Sequence, residues 1–124
     1  MLYRHGASYE ALKAPIWYAL GLMEGIYVRK GYQMVLAFGD NGVHSVPNTL
    51  HGKGLAVDLR TRTLPTSAVA TMVAEARLIL FPMGFDVVNE HDTVDANGVP
   101  QPHIHVEYDP KPGRDSYVKE LIEV

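Results

Sequence analysis

Two stripes of apolar residues recur at helical spacing along this chain. Ile16, Ala19, Leu20, Met23, Ile26 and Tyr27 form the first. Residues three and four apart share one face of a helix, so the stripe predicts a helix from Pro15 to Lys30. Pro15 suits its first position, and Gly31 stops it after two basic residues. Val69, Met72, Val73, Ala76, Ile79 and Leu80 form the second stripe, predicting a helix over about Thr66 to Leu80 that Pro82 and Gly84 end. A turn of helix opens from Ser8, and Trp17 and the tyrosines belong to core or rim. Between and after these elements lie short apolar runs with strand character: 33–38, 55–59, 85–90 and 102–109. The last two flank a polar loop with Asp95-Ala-Asn-Gly98, which suggests an antiparallel hairpin. Asp109-Pro-Lys-Pro-Gly113 closes the sheet, and Asp115 to Val124 reads as a short helix capped by Asp115.

The two-residue period of a strand then sorts side chains by face. In Leu55-Ala-Val-Asp-Leu59, the apolar Leu55, Val57 and Leu59 leave on one side, and Ala56 with Asp58 on the other. A symmetric hairpin sets Glu90 opposite His103, with Val88 and His105 on the same face. Residues 39 to 54 form a long irregular stretch rich in Gly, Asn, Ser and Pro that holds His44 and His51. Loops of that length in small domains tend to carry function. The expected architecture is α+β, a small antiparallel sheet with helices packed on it, as one domain over residues 1–124.

Composition narrows the chemistry. Eleven basic against 14 acidic residues give a formal charge of −3, and no basic cluster exceeds Arg29-Lys30, so no nucleic-acid partner is expected. The opening Met-Leu-Tyr-Arg-His-Gly-Ala lacks the apolar core of a signal peptide, and no run approaches the roughly 18 apolar residues of a membrane span. The expectation is a monomer, not inserted in a membrane and first resident in the cytoplasm. With zero cysteines, any metal must be held by nitrogen and oxygen. Of six histidines, five (His44, His51, His91, His103, His105) fall between 44 and 105.

His51, Asp58 and His105 are the expected ligands of one zinc ion, since catalytic zinc takes three protein ligands and keeps a fourth position open. Two imidazoles and one carboxylate leave the ion a net single positive charge, enough to lower the pKa of a bound water to about 7. Glu90 is the candidate general base, with Asp92 the alternative, and His103 would steady an oxyanion or hydrogen-bond the carboxylate. His44 is a further member of the pocket. Each residue also has a plainer reading. A His-x-His on a strand is, taken alone, more often an ordinary pair; Glu90 suits a solvated strand end; His91, Asp92 and Asp95 suit a loop. Lys53, Arg60 and Arg62 suit solvent, though any of them would also meet an anionic substrate. Asp58 is harder to dismiss, because an unpaired carboxylate near a core is costly.

Thr49-Leu-His-Gly-Lys-Gly-Leu-Ala-Val-Asp58 resembles the Ser-x-His-x-x-Gly-x-Ala-x-Asp motif of the D-alanyl-D-alanine carboxypeptidase family of zinc peptidases, with Thr49 where serine is usual. His103-Ile-His105 is similar to the His-x-His of the wider group that includes lysostaphin-type endopeptidases and the hedgehog signalling domain. The resemblance implies a hedgehog-like fold, zinc ligands His51, Asp58 and His105, an auxiliary His103, and peptide bonds of peptidoglycan stems as substrate. His44 and Thr49 would then lie on the substrate side. His44-Ser45 through Arg60 and Ile104 to Lys111 resemble the text of small phage-type peptidases, a family whose members include L-alanyl-D-glutamate endolysins, which implies phage or prophage lysis, release to the cell wall and an alternative placement in the virion. Two positions depart from the pattern. The acidic base usually lies three or four residues before the histidine motif, where Val99-Pro-Gln-Pro102 stands here, so Glu90 requires an enlarged hairpin loop. Many relatives carry an arginine before the first motif, where this chain reads Phe38-Gly-Asp-Asn-Gly42. That favours an endopeptidase over a carboxypeptidase, since such an arginine recognises a free terminal carboxylate. The rival expectations are a zinc-containing binding module without catalysis and a domain without metal.

Overall fold

The computed structural model describes residues 1–4, 9–38 and 53–110. Strand β1 (Leu2–Tyr3) precedes helix α1 (Ala14–Arg29) and strand β2 (Val35–Phe38). Strand β3 (Ala56–Arg60), helix α2 (Thr66–Leu80), a 3-10 turn (Phe81–Met83), and strands β4 (Phe85–Glu90) and β5 (His103–Tyr108) follow. The class is α+β, and the five strands run in the order β1-β2-β3-β5-β4. All neighbours are antiparallel except β1 and β2, which pair in parallel through Leu2 with Val35 and Tyr3 with Leu36. The small antiparallel sheet expected from sequence is found in β2 to β5, and β1 adds a parallel edge to it. Two residues carry no legible period, so β1 left no signal.

Both helices form where their stripes predict. All six stripe residues of α1 are buried, Lys30 ends the helix, and Gly31 turns the chain with φ of +82°. In α2, Val69, Met72, Val73, Ala76 and Leu80 are buried, whereas Ile79 is exposed, one step round from the buried stripe. Thr66–Met83 is, by length and a mean hydropathy of 1.2, the one candidate membrane span among the described residues. Its apolar face is instead spent on the sheet, and Arg77 Nε donates to the Val87 carbonyl at 2.8 Å. Tyr27 is core, but Trp17 and Tyr18 are exposed, and Tyr9 stacks on Tyr3 with Trp17 at its edge.

The core lies between these helices and one face of the sheet. Leu36, Val57, Leu59, Phe85, Val87, Ile104 and Val106 supply the sheet side. Full burial of each such side chain stabilises by roughly 1.5–3 kcal/mol, so the alternation of apolar residues fixes which way every strand faces. The Tyr27 hydroxyl crosses this core to donate to the Arg60 carbonyl at 3.1 Å, tying α1 to the end of β3. Burial pushes its phenol pKa up.

The turn into β3 depends on a glycine. Gly54 has φ of +73°, and a Cβ there would stand 2.1 Å from the Ala11 carbonyl oxygen. Its own carbonyl accepts the Lys13 N–H at 2.9 Å, locking this turn to the start of α1. Gly98 also has positive φ, +77°, but a Cβ there meets open space. Gly98→Ala should therefore cost about 1 kcal/mol of left-handed strain, and Gly54→Ala about 3 kcal/mol or more, because backbone must also move. Urea denaturation of the two variants checks this, and equal costs would remove the role given to the Ala11 contact.

Candidate functional site

The face of the sheet turned away from the helices carries three rows of side chains across β3, β5 and β4. Arg60, His103 and Glu90 form the first, Asp58, His105 and Val88 the second, and Ala56, Glu107 and Asp86 the third. The pairing of Glu90 with His103 and of Val88 with His105 is the register expected for a symmetric hairpin. Val57, Leu59, Ile104 and Val106 are all fully buried on the other side, so a slip by one residue would bury the charged set and expose the apolar one.

Within the second row, His105 Nδ1 lies 2.8 Å from Asp58 Oδ1, although the two residues are 47 apart in sequence. Its other nitrogen, Nε2, lies 3.0 Å from Glu107 Oε1. Each ring nitrogen therefore faces a carboxylate oxygen, which accepts from it where it carries a proton. Burial of His105, the largest single effect, lowers its pKa, but the hydrogen bond and charge of Asp58 and then of Glu107 together outweigh it, so the imidazole stays protonated above its ordinary range. Glu107 was not singled out from sequence. Its signal is the i, i+2 spacing from His105, which sets both on one strand face.

His103 bridges the first two rows. Its Nδ1 donates to the Gln101 carbonyl, which fixes the ring, and Nε2 lies 3.6 Å from Glu90 Oε2 and 3.7 Å from Asp58 Oδ1. Glu90 thus ends its strand beside His103 although the two are thirteen positions apart in sequence. The loop 91–102 that separates them is organised from within. Asp95 Oδ1 accepts the Asn97 and Val99 N–H groups at 2.8 and 3.0 Å, and Oδ2 accepts the Gln101 amide at 3.3 Å. The Val99 bond above all, then Asn97 and Gln101, holds the Asp95 carboxyl below its usual range. Asp95 therefore shapes the loop rather than merely occupying it. His91 Nδ1 sits 2.7 Å from the hydroxyl of the fully buried Thr61, pinning the loop base to the end of β3. Asp92 is exposed in this loop.

Asp58 and His105 offer one oxygen and one nitrogen donor, two of the three that a catalytic zinc takes. Nitrogen and oxygen ligands sit about 2.0–2.2 Å from the ion, hence about 3.4 Å apart at a tetrahedral angle. Asp58 Oδ1 and His105 Nδ1 would be the two atoms of this pair to hold such an ion. Were His105 to bind a metal through Nδ1, Glu107 at its other nitrogen would fix the orientation of the imidazole and raise its basicity. The third expected ligand, His51, and the expected pocket members His44 and Thr49 lie outside the described residues. Among the described residues, a three-donor group with all its ligand atoms within 4.8 Å of one another is instead formed by Asp86, Glu107 and Asp109. An all-carboxylate set favours harder cations and is common on surfaces without one. Lys53 is exposed as expected; Arg60 is only half-exposed and lines a cleft beside His103.

No family model, no curated protein and no solved structure matches this chain.

In chelator, His105 should titrate above about pH 6.5, the ordinary imidazole value. Glu107→Gln should move its titration down by removing one of the two carboxylate partners. A raised folded pKa contributes stability that is complete below the unfolded value and lost as pH rises through the folded one. Proton NMR of the His105 ring, with urea unfolding over the same pH range, checks both. An unchanged titration in Glu107→Gln would remove Glu107 from the site.

Proposed function

We propose that this chain is a zinc-dependent peptidase that hydrolyses peptide bonds in peptidoglycan stem peptides, an endopeptidase of the endolysin kind rather than a D,D-carboxypeptidase. The observation that carries this reading is the convergence of Asp58 and His105 at 2.8 Å, with Glu107 behind the imidazole and His103 between Asp58 and Glu90. The proposed fold relationship is to the hedgehog and D-Ala-D-Ala-peptidase group. Lysis by a phage or prophage is the proposed context, with the monomeric chain reaching the wall after release from the cytoplasm or as part of a virion.

Asp58 and His105, with His51, would hold the ion. One zinc supplies Lewis acidity at the scissile carbonyl and acidifies water to about neutral pKa. The remaining work belongs to side chains. Glu90 is a partly exposed carboxylate at a strand end, suited to take the proton of an attacking water and return it to the leaving amine. His103 is held by Gln101 with Nε2 turned to Glu90 and Asp58, and from there it can donate to an oxyanion or orient the base. Rigid strands carry all four groups, so little reorganisation accompanies the reaction.

Asp58→Ala and His105→Ala should each abolish tight zinc binding and hydrolysis together. Metal analysis after dialysis reads this, and stoichiometric zinc in either variant would overturn the ligand assignment.

Glu90→Gln should keep zinc and lose about 100-fold or more in rate, the scale of general acid–base groups. The assay is mass spectrometry of fragments released from purified peptidoglycan, with a chelated sample beside it. New peptide termini that vanish with chelator identify the bond cut. Intact polymer together with bound zinc would replace the peptidase by a zinc-containing binding module. The same loss in Asp92→Asn, with Glu90→Gln active, would transfer the base role to Asp92.

A further inference from the structure

A cleft of about 350 Å³ opens at the Arg60 end of the sheet, and three guanidinium groups line it together with Asp58, Gln101 and His103. They come from separate places. Arg4 follows β1, Arg60 ends β3 opposite His103, and Arg62 lies in the turn beyond. Among the described residues, three arginines against one carboxylate line this cleft, a local excess of positive charge in a chain whose formal charge is −3. Among the described residues, none of the three forms an ion pair. Glu24 and Glu75 pair elsewhere, and Asp58, Glu90 and Glu107 face the histidines.

Arg4 is also held in position. Its Nε donates to the Ala37 carbonyl at 2.9 Å, and Ala37 falls where the β2–β3 register shifts between Leu36 and Phe38. Such an irregularity leaves a strand carbonyl without its ladder partner and re-aims what binds it. Like charges gathered in a cleft repel one another and raise the local concentration of anions. Guanidinium forks match the two oxygens of a carboxylate.

We propose that Arg4, Arg60 and Arg62 form a carboxylate-binding subsite that takes an anionic group of a peptide lying over His103 and Asp58. The identity of the peptide rests on the peptidase reading; the binding of the anion does not. Because the arginines share a cleft with His103, the carboxylate belongs to a residue close to the bond under attack. A side-chain carboxylate of an acidic residue within the peptide agrees with the endopeptidase reading, whereas a free C-terminus held there would turn that reading to a carboxypeptidase.

The test uses the full chain as purified and a set of short alanine peptides. Each carries glutamate or glutamine at the centre, in L or D form, with a free or an amidated C-terminus. Affinity is read by NMR titration and peptide integrity by mass spectrometry in the same tubes. At least one carboxylate-bearing peptide should bind about tenfold or more tightly than its neutral counterpart, with the preference weakening in salt. A preference for glutamate over glutamine identifies the side chain as the source, and a preference for the free over the amidated end identifies the terminus. Arg60→Gln and Arg62→Gln should each reduce the preference, while Arg60→Lys keeps part of it. Both positions are at least partly exposed, so neither change threatens the core. Equal or absent binding across the set, or a preference undiminished in both glutamine variants, overturns the subsite. Cleavage without discrimination removes the subsite and keeps the peptidase; discrimination without cleavage of these peptides or of peptidoglycan does the reverse.

Discussion

The registration of β3 against β5 is the constraint on which the rest of the molecule depends. Five consecutive residue pairs, Ala56 with Glu107 through Arg60 with His103, set Asp58 against His105 on one face and Val57 against Val106 on the other. The apolar face supplies the free energy and the polar face receives its geometry as a consequence. Nothing in the attraction of Asp58 for His105 would position them so well alone, because an ion pair near a surface contributes little. Burial of Val57, Leu59, Ile104 and Val106 is what makes the alternative registers expensive.

The same ladder accounts for what could and could not be read from the chain. Period-two alternation in 55–59 and in 103–108 placed Asp58 opposite its apolar neighbours and put His103 and His105 on Glu90's face, because burial writes that pattern directly into the residues. Both helices were legible for the same reason, down to the glycine that ends α1. The parallel edge strand was not, since Leu2 and Tyr3 are held by backbone bonds to β2 and both side chains are exposed. Ile79 obeys helical spacing yet faces water, because a stripe marks a sector and the neighbouring elements decide its width. Glu107 escaped notice as a partner of His105 because its role depends on a ring nitrogen, which spacing alone does not identify. Of the site residues, Asp58, Glu90, His103 and His105 are brought together; His44, Thr49 and His51 fall in 39–52, outside the described residues, as does the expected terminal helix.

Distance along the chain proved a poor guide to distance in the sheet. Glu90 and His103 are rung partners across a loop that Asp95 folds on itself and that His91 pins to Thr61. An enlarged hairpin therefore leaves its own base undisturbed. Arg60 illustrates the converse: a charged residue at a strand end, read as solvent-facing, becomes part of a cleft wall once β5 and the segment after β1 are in place.

Asp58 and His105, 47 positions apart, meet only when β3 and β5 have zipped together. Closing so long a loop is among the slower entropic steps available to a small domain. A half-folded chain can present either group but not the pair. Whatever binds both groups at once thus recognises completed folding, and its binding energy falls on the nonlocal contact that chain entropy most opposes. Folding itself is thus the event that separates a chain holding the pair from one that does not.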